Sequence, residues 1–286
     1  MARTWFITGT SSGFGRELTA QLLARGDRVA ATARRPQTLD DLATQYGEQL
    51  WRARLDVTDT TELREVVDRA FPDLGRIDVV VSNAGYALFG APEEFTDEQI
   101  DRQIATNLTS SIQLARAATA HLRRQGGGRF IQIASIGGQI AYPAMSIYHA
   151  SKWGIEGFWE SSAPELAPFG ISVTIVEPGV SRTGFGATNS VLAPPLPEYA
   201  DGPSGQLRRS LAGELPPLAA PGDPVKIAAA IIASVDKGEA PFRLTLGSDA
   251  YVQATAALRS RLEALEAGRD LAYSTDADDV TATTSD

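Results

Sequence analysis

Tyr148 and Lys152 stand four residues apart in the segment Tyr148-His149-Ala150-Ser151-Lys152. Residues at this spacing lie on one face of a helix, about one turn apart. Free tyrosine has a pKa of about 10, and a neighbouring ammonium favours the phenolate and lowers that pKa. Such a phenol can pass a proton to or from a carbonyl or carbinol oxygen near neutral pH. Such pairs are also common on helix surfaces, so the surrounding residues must show whether this pair serves catalysis.

Two more polar residues could serve the same chemistry. Ser135 directly follows the predicted strand Phe130–Ala134. Ligand sites gather at the carboxyl ends of parallel strands, so its hydroxyl could bond the same substrate oxygen and stabilise charge on it; otherwise it is a turn-capping serine. Asn107 lies inside a predicted helix, although asparagine is a mediocre helix former. Its side chain either faces water or is bonded to something buried.

A glycine-rich turn follows the first predicted strand, Thr4–Thr8, and opens the first predicted helix. Glycine adopts backbone conformations that are closed to other residues and lets a ligand approach the main chain. The start of a helix adds N–H groups and the positive end of a dipole, which together suit a pyrophosphate. The alternative is a glycine turn that holds no ligand. The candidate phosphate-binding residues are Gly9, Ser11, Ser12, Gly13, Phe14 and Gly15.

The residues after the second predicted strand, Val29–Ala33, indicate which dinucleotide would bind. An acidic residue about 20 positions past the glycines takes the ribose hydroxyls, whereas an arginine accommodates a 2′-phosphate. This chain has Arg34 and Arg35 there in place of a carboxylate. Guanidiniums make paired hydrogen bonds to phosphate oxygens. The pattern predicts NADP(H) in preference to NAD(H), unless the two arginines are solvated surface charges.

The composition excludes several classes of protein. Of 286 residues, 43% are hydrophobic and 21% are charged, as in ordinary globular proteins. The absence of cysteine excludes disulfides, thiolate metal sites and cysteine nucleophiles, and two histidines are too few for a multi-histidine metal site. The net charge of −9 argues against nucleic acid as a partner, and no apolar run is long enough to span a membrane. Because Met1–Trp5 lack the features of a signal region, we expect a cytoplasmic protein.

Short apolar runs alternate with helical patterns along most of the chain. Continuously apolar strands, each followed by a crossover helix, indicate a parallel sheet buried on both faces. They predict an α/β fold, a single doubly wound Rossmann domain over residues 1–273 with a seven-stranded parallel sheet flanked by helices. The predicted strands are Thr4–Thr8, Val29–Ala33, Trp51–Leu55, Val79–Ser82, Phe130–Ala134, Ser172–Val176 and Phe242–Leu246. The predicted helices are Arg16–Arg25, Pro36–Tyr46, Thr60–Phe71, Asp97–Gln125, Tyr148–Ala167 and Pro224–Asp236.

Three segments depart from this alternation. Residues 184–222 are rich in proline and glycine, and a loop of this length predicts a lid or substrate-binding loop. Residues 248–267 have the pattern of an amphipathic terminal helix. Residues 274–286 are rich in Asp, Thr, Ala and Ser, which predicts a disordered acidic tail. The long amphipathic helices offer more apolar surface than one sheet needs, so we expect a homodimer or homotetramer.

Residues 4 to about 247 resemble the short-chain dehydrogenase/reductase family, whose motifs occur here in the same order and spacing. Ser82 departs from the family, which often has a second asparagine there, and the terminal helix and tail extend past the family's core. The matching motifs are the coenzyme loop Thr8–Gly15, the adenine site at Asp56 and Val57, the segment Asn83-Ala84-Gly85 beside the adenosine, the tetrad Asn107, Ser135, Tyr148 and Lys152, and the segment Pro178-Gly179-Val180-Ser181-Arg182-Thr183.

The resemblance implies a role for each member of the tetrad. Tyr148 would be the proton donor in reduction and the acceptor in oxidation. Lys152 would lower the pKa of the tyrosine and bind the ribose hydroxyls beside the nicotinamide, while Ser135 polarises the carbonyl. Asn107 would hold a water that links the lysine to solvent, and Thr183 would bind the nicotinamide carboxamide. Hydride would pass directly between the nicotinamide and the carbonyl carbon.

The expected function is NADPH-dependent reduction of a ketone or aldehyde, or the reverse oxidation of a secondary alcohol, with a small molecule as substrate. A non-catalytic NADP(H)-binding regulator on the same fold is the alternative. Aromatic and apolar residues near the motifs favour a hydrophobic substrate, although most of them could be core residues. The predicted pocket residues are Tyr86, Leu88, Phe89, Ile136, Gly137, Gly138, Gln139, Tyr142 and Phe185.

Overall fold

The computed structural model describes residues 2–183, 190–216, 219–238 and 240–277. Its strands are β1 (Thr4–Thr8), β2 (Arg28–Ala33), β3 (Leu50–Arg54), β4 (Val79–Ser82), β5 (Ala87–Phe89), β6 (Gly128–Ile133), β7 (Ile171–Pro178), β8 (Ser190–Leu192) and β9 (Arg243–Leu246). Its α-helices are α1 (Gly13–Ala24), α2 (Asp40–Tyr46), α3 (Thr60–Leu74), α4 (Asp97–Ile104), α5 (Ser110–Arg124), α6 (Ser146–Leu166), α7 (Pro203–Leu211), α8 (Pro224–Asp236), α9 (Ser248–Ala267) and α10 (Arg269–Tyr273). Among these residues, no helix combines the length and the apolar character needed to cross a membrane.

Seven parallel strands form the main sheet, in the order β3-β2-β1-β4-β6-β7-β9. The chain winds outward from β1 in one direction and then from β4 in the other, which is the doubly wound topology. The sequence-based prediction of the fold class is therefore confirmed. All seven predicted strands are present, and their ends differ from the predicted ones by no more than two residues.

The central strands are buried on both faces, which explains why their sequences do not alternate with polar residues. In β1, Trp5 and Ile7 pack against one layer of helices, which includes α1 and α8. Phe6 points to the opposite face and packs against α3, α5 and α6. Burial of a large apolar side chain contributes about 1.5–3 kcal/mol. Both layers of helices are therefore fixed to the sheet by side chains from the same strand.

The predicted single helix over Asp97–Gln125 is wrong, because a π-helical turn interrupts it. The segment consists of α4, a π turn over Ala105–Thr109, and α5. A π turn adds one residue to a helical turn and is common at functional sites. The apolar periodicity continues through the turn, which is why the sequence pattern does not reveal it. Asn107 lies in the middle of this turn and is buried.

The proline-rich segment contains regular structure where a loop is predicted. Within its described residues, β8 pairs in parallel with β5, and α7 follows a short 3₁₀ turn over Pro197–Tyr199. Two of the prolines that suggest a loop, Pro197 and Pro203, occupy first helical positions, where a missing N–H leaves no bond unmade. The predicted terminal helix is α9. Phe185 and residues 278–286 of the predicted tail lie outside the described residues.

Residues 190–216, called the lid segment below, are held to the body by the buried carboxylate of Glu94. One of its oxygens accepts hydrogen bonds from the Ser204 hydroxyl at 2.7 Å and from the Ala91 N–H, and lies 3.1 Å from the Arg208 guanidinium. The other oxygen accepts from the Leu196 N–H at 3.0 Å. Burial alone would raise the pKa of Glu94, but these bonds lower it to about 2. The lid segment is therefore anchored by an ionised group.

Replacing Glu94 with alanine is expected to destabilise the protein by about 3 kcal/mol, because it leaves Arg208 and the Leu196 N–H without their partner. The folded pKa lies below the usual 4.5. The stabilisation is therefore present above pH 4.5 and is lost as the pH falls towards 2. Urea unfolding at pH 7 and pH 3 measures both effects. Glu93→Ala at the neighbouring exposed position is the control, and equal stabilities of the two variants would contradict the assignment.

Candidate active site

A cavity of about 1540 Å³ opens where β1, β2, β4, β6 and β7 end and extends to the lid segment. This edge includes the gap between β1 and β4, where the strand order reverses and doubly wound sheets bind ligands. The predicted site residues in the cavity wall are Gly9, Ser11, Ser12, Gly13, Phe14, Arg34, Asp56, Val57, Asn83, Ala84, Gly85, Ser135, Tyr148, Lys152, Pro178, Gly179, Val180 and Thr183. Gly15, Arg35 and Asn107 are not in the wall.

The glycine turn after β1 is pressed against the segment that follows β4. A Cβ atom on Gly9 would stand 2.8 Å from Cα of Ala84, and one on Gly15 would stand 2.4 Å from Nδ2 of Asn83. That Nδ2 donates hydrogen bonds to the carbonyl oxygens of Thr8 and Gly9 at 2.9 and 3.0 Å. Two of the three glycines are thus needed for contacts between chain segments. The third, Gly13, has φ +56° and opens α1.

Replacing Gly15 with alanine is expected to destabilise the protein by about 1–3 kcal/mol, because the new Cβ overlaps Asn83 and the Gly9 carbonyl. Gly157 is the matched control: it is also helical, and a Cβ there meets nothing within 4 Å. Gly157→Ala should be neutral or stabilising by up to about 1 kcal/mol. Thermal unfolding compares the two variants. Equal melting temperatures would show that the turn does not depend on this close approach.

The wall after β2 carries one of the two predicted arginines. Arg34 is exposed to the cavity, whereas Arg35 begins the 3₁₀ turn over Pro36–Leu39 and lies outside the wall. Opposite Arg34, burial would raise the pKa of Asp56, but hydrogen bonds from the Thr58 hydroxyl and N–H and the charge of Arg34 hold it below its usual value. This end of the cavity therefore presents a cation beside an ionised carboxylate.

Ser135 and Tyr148 meet at the opposite end of the cavity. Ser135 ends the segment after β6, and its Oγ accepts a hydrogen bond from the Gly137 N–H at 3.0 Å. Its hydroxyl also lies near the Tyr148 phenol, whose pKa it lowers. The Tyr148 ring packs with Ala87 and Phe89, and Leu207 of the lid segment adjoins this cluster. Both hydroxyls are therefore held at one point by β6, α6 and the lid segment.

The pKa of Tyr148 is opposite in direction to the sequence-based prediction. Burial raises it to about 12, and the nearby Ser135 hydroxyl only partly offsets this effect. The predicted cause of a lowered pKa, the ammonium of Lys152, lies 5.8 Å from the tyrosine ring centroid and does not reverse the effect of burial. At neutral pH the phenol is protonated. The sequence shows the spacing of Tyr148 and Lys152 but not how deeply the fold buries their side chains.

Lys152 follows Tyr148 by one turn of α6 and is itself buried. Its Nζ donates a hydrogen bond to the carbonyl oxygen of Ile133, the last residue of β6, at 3.0 Å. Burial lowers the pKa of Lys152 to about 8, while the nearby carboxylate of Glu156 favours the charged form. The side chain thus links α6 to β6, the strand that precedes Ser135, and its pKa of about 8 is close to physiological pH.

Asn107 supports the site from behind the cavity wall. Its Oδ1 accepts from the Tyr86 N–H at 3.1 Å and its Nδ2 donates to the Tyr86 carbonyl at 2.9 Å. The same Nδ2 also donates to the Ser151 hydroxyl at 3.3 Å. Of the two predicted alternatives, the buried one is correct. The amide joins the π turn to α6 and to the segment after β4.

His149 is a positioning residue that the sequence interpretation did not include. Its Nδ1 donates to the Gly137 carbonyl at 2.8 Å, and its Nε2 accepts from the Tyr142 N–H at 2.9 Å. Burial lowers the pKa of His149 more than the Gly137 contact raises it, so the ring is neutral at pH 7. The histidine therefore ties the turn after Ser135 to α6. Its place between Tyr148 and Lys152 is the sequence signal that could have identified it.

The substrate half of the cavity combines predicted and unpredicted residues. Leu88 is fully buried, and Gly138 and Gln139 are not in the wall either. The predicted residues that do line it are Tyr86, Phe89, Ile136, Gly137 and Tyr142. Wall residues that the sequence interpretation missed include Glu98, Gln99, Arg102, Met145, Leu207, Leu211, Leu215 and Gln253. No short motif marks these positions, because the fold brings them together from α4, α9, the lid segment and the residue before α6.

Comparison with known proteins agrees with this geometry. The family model described as short chain dehydrogenase matches residues 3–190. A 3-ketodihydrosphingosine reductase from Bacteroides thetaiotaomicron is 34% identical over 247 residues, which cover 84% of this chain and 86% of the relative.

Two solved structures share the fold. A short-chain dehydrogenase from Streptomyces avermitilis superimposes with a TM-score of 0.87 at 38% identity, over 96% of this chain and 98% of that one. The structure of ElxO with NADP bound gives a TM-score of 0.69 at 25% identity, over 86% of this chain and 97% of that one. With its motifs, its sheet topology and these matches, the chain belongs to the short-chain dehydrogenase family of oxidoreductases.

Proposed function

We propose that the protein is an NADP(H)-dependent carbonyl reductase or alcohol dehydrogenase, in which Tyr148 is the acid or base. The observation that carries the proposal is the meeting of Ser135, Tyr148 and Lys152 in the wall of one cavity. The opposite end of the same cavity holds the glycine turn and Arg34. A chain that only bound the coenzyme would have no need for this second group of residues.

The cavity wall suits a phosphorylated dinucleotide. The N-terminus of α1 reaches it through Gly13 and Phe14, so N–H groups and the helix dipole favour a pyrophosphate there. Arg34 would bind a 2′-phosphate, and Asp56 and Val57 would adjoin the adenine. The NADP held by the similar ElxO supports this choice. The segment Pro178–Thr183, which adjoins Gly13 through Thr183, would contact the nicotinamide end.

The residues around Tyr148 would handle the proton while the bound coenzyme donates or accepts the hydride. With its pKa raised to about 12, Tyr148 holds a proton at neutral pH and can donate it to the oxygen of a carbonyl substrate. Ser135 would hydrogen-bond the same oxygen and stabilise the charge that develops on it. In the oxidative direction, the same phenol would have to lose its proton, so we expect oxidation to accelerate as the pH rises.

The substrate end of the cavity favours an apolar carbonyl compound. Leu207, Leu211 and Leu215 of the lid segment line it together with Phe89 and Met145. Such walls suit a ketone or aldehyde with a hydrophobic body better than a phosphorylated or carboxylated one. The similar 3-ketodihydrosphingosine reductase has, by its name, a keto group in its substrate.

An absorbance assay at the reduced-nicotinamide band tests the proposal. NADPH and NADH are each offered with a panel of ketones, aldehydes, quinones and sugar phosphates. We expect consumption of NADPH with hydrophobic ketones or aldehydes. Tight NADPH binding without turnover across the panel would favour a non-catalytic regulator, and saturable reduction of sugar phosphates alone would overturn the apolar substrate.

The single-domain organisation over residues 1–273, the assembly as a homodimer or homotetramer and the cytoplasmic location stay predictions. Size-exclusion chromatography with light scattering measures the assembly directly.

A further inference from the structure

Two buried carboxylates and a partly buried arginine form a cluster one helical turn beyond Lys152. Glu156 continues the face of α6 that carries Tyr148 and Lys152, and it is 5% exposed. Glu177, near the end of β7, is 2% exposed. Arg243, the first residue of β9, lies between the two carboxylates. The proposed chemistry uses none of these three residues.

The two carboxylates differ in how well they are paired. Glu177 accepts hydrogen bonds from the Gln139 amide at 3.0 Å and from the Thr245 hydroxyl at 2.7 Å, and one of its oxygens lies 3.3 Å from Nε of Arg243. Glu156 accepts through Oε2 from the same Nε at 3.2 Å. Its other oxygen, Oε1, is buried and has no hydrogen-bond partner among the residues that the structure describes. A buried oxygen in this state is costly unless it faces a charge that needs it.

Glu156 is also packed tightly against the turn that follows Ser135. A Cβ on Gly138 would stand 2.8 Å from Cγ of Glu156, 3.0 Å from its unpaired Oε1 and 3.1 Å from the Lys152 carbonyl oxygen. Only a glycine allows this contact. Glu156 thus adjoins the short 3₁₀ turn over Ile136–Gly138, which directly follows Ser135.

The burial of Glu156 and the charges around it bring the pKa of its carboxyl close to neutral pH. Burial raises the pKa of Glu156 to about 7, the charge of Glu177 adds to this effect, Arg243 opposes it and Glu160 adds slightly. On the other side, Glu156 favours the charged form of Lys152, whose pKa burial lowers to about 8. Between these two pH values the carboxylate and the ammonium are both ionised.

We propose that Glu156 is a positioning residue whose negative charge, one helical turn away and beyond ion-pair distance, stabilises the buried Lys152 ammonium, and whose contact with Gly138 fixes the turn of Ser135. It acts through Lys152 and touches neither substrate nor coenzyme. The inference deepens the proposed function, on which its consequence for catalysis rests. The effect of this charge on Lys152 is itself a property of the folded chain and can be measured without turnover.

The lysine content of the chain makes the measurement simple. Its lysines are Lys152, Lys226 and Lys237, and the last two are exposed. Protein labelled with [¹³C]lysine would give three side-chain signals, which Lys226→Arg and Lys237→Arg assign. We expect the Lys152 signal to titrate near pH 8 in the natural chain. In Glu156→Gln its midpoint should fall by about one unit, because the ammonium loses the nearby negative charge.

Glu160→Gln is the matched control, since Glu160 lies on the same helix and also pairs with Arg243 but has a side chain that is 58% exposed. It should leave the Lys152 midpoint unchanged. If Glu156→Gln does not fold, Glu156→Asp should shift the midpoint in the same direction by less. A midpoint in the folded Glu156 variant equal to that of the natural chain overturns the inference.

The pH profile of turnover separates this inference from the proposed function. In Glu156→Gln, the loss of carbonyl reduction at alkaline pH should begin about one pH unit lower than in the natural chain. A natural chain that reduces no carbonyl compound would contradict the proposed function, while the lysine titration would still decide the role of Glu156. A shift in the Lys152 midpoint without a shift in the pH profile of turnover would support the effect of Glu156 on Lys152. It would contradict a role of that effect in catalysis.

Discussion

Replacing Tyr148 with phenylalanine is expected to reduce the rate of carbonyl reduction by about 10²–10⁴-fold, the usual contribution of a positioned acid. The phenylalanine ring can keep the packing with Ala87 and Phe89, so the cavity should retain its shape. Binding of NADPH, measured by fluorescence titration, should therefore remain nearly unchanged while kcat falls. This separation of binding from turnover distinguishes a proton donor from a structural residue.

Tyr46→Phe is a suitable control for this substitution, because Tyr46 packs against the other face of the sheet and is not in the cavity wall. It should keep full turnover. Full activity in the Tyr148 variant would refute the proposed mechanism, whatever coenzyme the protein binds.

The double substitution Ala33→Asp with Arg34→Ala is expected to invert the coenzyme preference. It removes the guanidinium that would bind the 2′-phosphate and introduces a carboxylate that would bind ribose hydroxyls and repel the phosphate. A hydrogen bond to a charged group contributes about 1.5–3 kcal/mol, which corresponds to about 10–100-fold in kcat/KM. Initial rates with NADPH and NADH measure the ratio.

Arg35→Ala provides the comparison, since Arg35 lies outside the cavity wall while Arg34 lies in it. We expect Arg35→Ala to change the preference much less than Arg34→Ala. The assignment to Arg34 fails if selectivity is unchanged in the double variant, or if Arg35→Ala relaxes it more.

The central strands of the main sheet could be predicted because they are mostly apolar runs that both layers of helices cover. The pair of β5 and β8 could not, because strands of three residues are too short for any periodicity. The same limit explains the π turn at Asn107, since one extra residue per turn hardly disturbs a helical pattern. The helix α7 was not predicted because its sequence begins with Pro203, which suggests a loop although a helix tolerates proline at its first position.

In the candidate site, it was easier to predict which residues take part than how deeply they are buried and what they contact. The motifs indicate Ser135, Tyr148 and Lys152, and the fold places all three in one cavity wall. The raised pKa of Tyr148 depends on burial that the spacing of two residues does not express. Likewise, adjacent arginines look equivalent in a sequence, and only the direction of the chain after β2 separates Arg34 from Arg35. The sequence therefore predicts which groups are candidates for the chemistry, and the fold determines their burial and their partners.

A crystal structure of the complex with NADP+ is the most direct test of the proposed chemistry. We expect the 2′-phosphate at Arg34 and the reactive face of the nicotinamide turned towards the hydroxyls of Tyr148 and Ser135, with Lys152 within reach of the adjoining ribose. A nicotinamide whose reactive face points away from Tyr148, or side chains of Tyr148 and Lys152 on opposite sides of the ring, would contradict it.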